Sequence, residues 1–113
     1  NRRIRMAYND GYKGHKDSVK VWVELRMDTH TVLSSYNVSS ITDQSTGYCL
    51  VNYATNLLDN DHACFASCDP RGSSKNYAHG ARSGASNYGR LYIEDSDGNG
   101  YDANPACFLV IGT

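Results

Sequence analysis

The sequence predicts an all-β fold, a small antiparallel β-sandwich of about six to seven short strands. Three observations carry that prediction. Apolar residues alternate with polar ones at a period of two in several separate stretches, corners rich in Gly, Asp and Asn separate those stretches, and no stretch repeats its apolar residues at the 3.6-residue period of an amphipathic helix. One domain's worth of chain, 113 residues, supports one modest core.

Residues 1–17 mix charge with Asn-Asp-Gly and Lys-Gly turn signals and read as an N-terminal arm or linker. The chain starts at Asn1 without Met, as expected for a piece of a longer protein. From Ser18 onward the sandwich domain, residues 18–113, begins. Val19, Val21, Val23 and Leu25 alternate with Ser18, Lys20, Trp22 and Glu24, which predicts a strand with Trp22 on its non-core side. Such a ring is a candidate anchor for an interface between copies, because aromatic residues desolvate a large area at low entropic cost.

The stretch Thr31–Thr42 is rich in Thr, Val, Ser and Tyr, and extended structure is expected there with a bend near Ser34 and Ser35. Residues Asp43–Gly47 supply a turn, and Tyr48–Tyr53 resumes as a strand with Cys49, Val51 and Tyr53 on one face. A further turn at Leu57–Asp61 leads into His62–Cys68, a run of small apolar residues read as a buried strand. Asp69–Gly89, loaded with Gly, Ser, Asn and Ala, is expected to be irregular, and loops of that length carry function more often than packing. Arg90–Glu94 and Pro105–Ile111 complete the strands, with a polar turn at Asp95–Gly100 between them.

Eleven basic against twelve acidic residues leave a net charge of -1, so no overall attraction to nucleic acid exists, and the Arg2, Arg3, Arg5 run reads as a solvated tail. No apolar run approaches the roughly 20 residues of a membrane span. Nine tyrosines beside two Phe and one Trp suit half-wet sheet faces and sticky surfaces.

Catalytic motifs are scarce. Four histidines and four cysteines are present without a Gly-x-Ser-x-Gly elbow, and the two glutamates, Glu24 and Glu94, have no obvious partner for glycoside chemistry. The chain reads as a non-enzyme without cofactor or metal. Cys49, Cys64, Cys68 and Cys107 leave open free thiols, disulfides or a thiolate metal site, although only Cys64 and Cys68 are closely spaced. Asp95-Ser-Asp97-Gly-Asn99-Gly100 opens like a calcium loop, but its twelfth position is Ala106 where such a loop needs Glu. Asn37-Val-Ser39 is a glycosylation sequon. In the Gly-rich segment, Tyr77, His79, Arg82, Asn87 and Tyr88 combine rings with hydrogen-bonding groups, the mixture adaptable recognition surfaces favour, and are the receptor-binding candidates.

Lys20-Val-Trp22-Val, Ser35–Asp43, Thr46-Gly47, Val51-Asn52-Tyr53, Asp59 and Ala63, with the closing Cys107–Gly112, resemble in order and spacing a C-terminal β-sandwich domain of tailed-bacteriophage fibres. The resemblance implies a structural virion protein at the distal end of a tail fibre. It would be a homotrimer beside other virion proteins, recognising a bacterial cell-surface glycan or protein, carried on the virion after assembly in the host cytoplasm, without membrane insertion. Cys49, His62 and Cys64 stand where that family commonly has aromatic residues or Val, and Asp69–Gly89 has no counterpart. A capsid decoration or head-fibre protein and a secreted carbohydrate-binding module are the alternative readings.

Overall fold

The computed structural model describes residues 18–60, 62–69 and 78–112. The arm expected at residues 1–17, with its arginine run, lies outside them. Eight strands follow one another: β1 (Val19–Arg26), β2 (Thr31–Tyr36), β3 (Val38–Ser45), β4 (Tyr48–Tyr53), β5 (Ala63–Cys68), β6 (Ala78–Ala85), β7 (Tyr88–Glu94) and β8 (Ala106–Ile111). They form two four-stranded antiparallel sheets in the orders β2-β1-β8-β5 and β3-β4-β7-β6. None of the described residues forms a helix long and apolar enough to cross a membrane.

The period-two alternation determines what the sheets bury against each other. Val21, Val23 and Leu25 of β1 and Ala106, Phe108 and Val110 of β8 face Cys49, Val51 and Tyr53 of β4 and Leu91 and Ile93 of β7 in one core. Phe108, at 1% exposure, is the largest fully buried side chain. Gly89 makes room for it: a β-carbon there would stand 2.5 Å from the Phe108 ring and 2.5 Å from the Tyr53 hydroxyl.

Turns register the sheets. At the β3–β4 corner Gly47 holds φ +77°, a conformation that costs a side-chain-bearing residue energy. Its N–H donates to the Asp102 carboxylate at 2.7 Å, and its carbonyl accepts from the Ile93 N–H at 2.8 Å. The hairpin is thereby fixed to the chain entering β8.

Four expectations are corrected. A bulge between Val19 and Val21 shifts the alternation of β1, so Val19 is exposed while Lys20 turns inward and donates to the Ser18 hydroxyl. The second extended stretch is irregular beside Ser34, where the β1–β2 register skips Leu33, but its break falls farther on, at Asn37. Asn37 takes φ +58°, which Asn tolerates better than most residues, and carries the chain from one sheet to the other. Its amide donates to the carbonyls of Lys20 and Thr55, both at 3.1 Å, and accepts from the Thr55 N–H at 2.7 Å, so the sequon side chain is committed to this crossing. The strand at 62–68 is an edge and not a buried strand: β5 pairs only with β8, and Phe65 is 55% exposed. Finally, the twenty-residue irregular segment contains β6 and the start of β7, which brings the strand number to eight.

β6 escapes a periodicity reading because its sequence, AHGARSGA, has no large apolar residue to alternate. Its partners supply the rings instead. Gly80 lies opposite Tyr92, and Gly84 lies directly beneath the Tyr88 ring, leaving no space for a β-carbon.

Candidate functional site

The two sheets present chemically different outer faces. On the β3-β4-β7-β6 sheet the outward positions fall into three parallel rows. Tyr48, Tyr92 and Gly80 are successive partners in the first; Leu50, Arg90 and Arg82 in the second; Asn52 and Tyr88 in the third, which ends against Gly84. The Tyr48 and Tyr92 rings stack at 4.4 Å between centroids and 10° between planes. The Arg90 guanidinium sits 5.5 Å from the centre of the Tyr88 ring, donating to the Tyr88 hydroxyl at 3.3 Å and to the Ser83 carbonyl at 3.1 Å. Burial and the hydroxyl of Tyr48 push the Tyr92 phenol up, against an opposing pull from Arg82 and Arg90.

Of the sequence candidates, Arg82 and Tyr88 belong to this face. Asn87 stands in the β6–β7 turn, where its backbone carbonyl accepts from the Tyr53 N–H at 2.9 Å and its side chain is exposed. His79 pairs with Ile93 at the backbone level of β6, and nothing of its side chain is described. Tyr77 lies outside the described residues. Sequence reasoning missed Tyr48, Arg90 and Tyr92, which read there as ordinary strand residues. The available signal was alternation itself, since all three stand opposite to buried neighbours on β4 and β7.

The other outer face is apolar. Phe65, Leu109, Trp22 and Tyr36 are successive cross-strand partners and form one row across all four strands of the β2-β1-β8-β5 sheet. Phe65 is 55% and Trp22 38% exposed. Ala63 and Ile111 extend the patch on one side, while Ser67, Cys107 and Glu24 bound it on the other. Trp22, the interface candidate, is therefore one member of a continuous ladder.

No disulfide joins the four cysteines: Cys49 is buried, and Cys64, Cys68 and Cys107 are half-buried. Burial, with Asp43 and Asp102 nearby, pushes Cys49 up to about 12, and burial alone pushes Cys64 up to about 11. Neither is a thiolate at neutral pH. The His62 ring meets the Tyr53 hydroxyl at 2.9 Å, while the Cys64 thiol donates to the His62 carbonyl at 3.8 Å. The Asp95 carboxylate accepts from the N–H groups of Asp97 (2.9 Å) and Asn99 (3.0 Å), capping its own turn. No cluster of three metal-ligating His, Cys, Asp or Glu side chains exists among the described residues.

The buried thiol makes stability pH-dependent in a definite direction. Below about pH 9 folded and unfolded chains both keep the Cys49 proton. Between pH 9 and 12 the unfolded chain releases it first, at the ordinary thiol value of 9.0, so stability falls as pH rises. Thermal melts are expected to show a decline over that window that is shallower in Cys49→Ala than in wild type; parallel declines would contradict the assignment. No protein-family model, no curated protein and no solved structure matches the chain.

Proposed function

We propose that the chain is a non-catalytic attachment module of a virion appendage of the tail-fibre kind, built from three copies and directed at a bacterial cell-surface glycan or protein. The observation that carries this reading is the difference between the outer faces. One bears an unbroken apolar row, of a kind monomeric proteins seldom leave in water. The other bears stacked tyrosines and guanidiniums, groups that bind polar targets without reacting with them.

The apolar row favours other copies of the chain as its occupants, because three copies around a threefold axis can each cover part of a neighbour's row and withdraw all three from water. The motif run from Lys20 to Ala63, with Cys107–Gly112, adds the likeness to fibre domains. Thiols held in their protonated form by burial favour packing over nucleophilic chemistry.

Fluorescently labelled protein, presented to a panel of bacterial strains and read by flow cytometry, is expected to bind some strains saturably and to be displaced by unlabelled protein. Absence of saturable binding across the panel would contradict the reading.

A further inference from the structure

The geometry points to an acidic sugar as the group bound on the β3-β4-β7-β6 face, held between Arg82 and Arg90 and flanked by the rings of Tyr92 and Tyr88. This rests on the attachment reading above and specifies its ligand chemistry.

Arg82 and Arg90 are direct cross-strand partners on the outward side of β6 and β7. Partners in that position place their β-carbons roughly 5 Å apart, and like charges there repel. Among the described residues neither guanidinium is in an ion pair, and the groups that meet Arg90, the Tyr88 ring and the Ser83 carbonyl, carry no full negative charge. Glu94, the acid on the same face of β7, lies four residues from Arg90, about 13 Å along the strand. An arginine pair on an outer face whose neighbouring positions are Tyr48, Leu50, Asn52, Tyr88 and Tyr92 is a local concentration of positive charge in a chain whose net charge is -1.

An anion seated between the two forks would receive charge-assisted hydrogen bonds and remove the repulsion together. Arg90 is already oriented for this, since its bonds to Ser83 and Tyr88 hold its guanidinium in place. The flanking groups favour a sugar over a bare anion. Tyr92, braced against Tyr48, stands one row to one side of the arginine pair and Tyr88 one row to the other, each about 7 Å away along β7. Glycine on β6 at both flanks, Gly80 beside Tyr92 and Gly84 beneath Tyr88, keeps that strand low around the rings, so a pyranose can lie against them. Carboxylate-bearing and phosphate-bearing sugars share the required chemistry.

Isothermal titration of the wild-type protein with oligogalacturonate, its methyl ester and glucose 6-phosphate tests this. Oligogalacturonate or the phosphosugar is expected to bind, which separates the two anion sources. The neutral ester should bind at least tenfold more weakly than the acid. Arg82→Gln should weaken binding at least tenfold without lowering the thermal midpoint, because it removes a like-charge pair. Tyr92→Leu should weaken the sugar while leaving inorganic phosphate unchanged. Equal affinity for acid and ester, no binding of either anionic sugar, or binding by Arg82→Gln equal to wild type would overturn the proposal. Equal affinity for oligoglutamate would overturn its sugar half. Strain binding that Arg82→Gln leaves intact would remove the acidic-sugar inference and keep the attachment reading, whereas absence of strain binding by wild type would remove the attachment reading itself.

Discussion

Replacing Phe108 with alanine is expected to lower the stability of the fold by about 3–5 kcal/mol, the usual cost of deleting a fully buried aromatic ring and leaving its cavity. Phe108 comes from the centre of β8, which lies between β1 and β5, and its ring reaches across the core to Gly89 on the opposite sheet. The site cannot collapse easily, because Gly89 has no side chain to move in. A domain of this size is stable by about 5–15 kcal/mol in total, so the loss is a large fraction. The thermal midpoint should fall by roughly 12 °C or more. Leu58→Ala, at a position 58% exposed, should change stability by no more than about 0.5 kcal/mol. Equal effects at the two positions would mean that the core is not where the two sheets meet.

The second large effect concerns assembly. Trp22→Glu combined with Phe65→Glu places two charges in the apolar row that crosses the β2-β1-β8-β5 sheet. Both side chains are substantially exposed in the single chain, so the monomer should keep the wild-type far-UV circular dichroism spectrum, with only the stabilisation that assembly adds lost from its melt. Copies that no longer associate lose multivalent attachment, and apparent affinity for a bacterial surface should drop by about 10²-fold or more. Binding of a single oligogalacturonate should stay as it is, because Arg82 and Arg90 lie on the other sheet. Unchanged cell binding in the double variant would contradict a role for this face in joining copies.

The alternation that positions Phe108 and Trp22 was legible in the sequence wherever large apolar residues mark one side of a strand. Alternation puts Cys49, Val51 and Tyr53 on one face, and they share the core; it puts Trp22 on the non-core side of its strand, where it is exposed. Legibility ended where the chain departs from a plain period of two. The bulge after Val19 exchanges the exposure of Val19 and Lys20, and a bulge depends on the partner strand and not on local composition. The crossing at Asn37 depends on bonds to Lys20 and to Thr55, seventeen and eighteen residues away. β6 carries no apolar signal, because its glycines lie beside and beneath tyrosines that β7 supplies.

The candidate site was half-legible for the same reason. Arg82 and Tyr88 stood out in a segment rich in Gly, Ser and Asn. Their counterparts Arg90, Tyr92 and Tyr48 acquire meaning only through cross-strand register, which places Arg82 against Arg90 and Tyr48 against Tyr92.

Sedimentation velocity of the wild-type protein across micromolar concentrations tests most directly whether one face joins copies while the other meets the target. A discrete assembly near three times the 12.5 kDa chain mass is expected, dissociated by the Trp22→Glu, Phe65→Glu pair. A 12.5 kDa monomer at every concentration would contradict it.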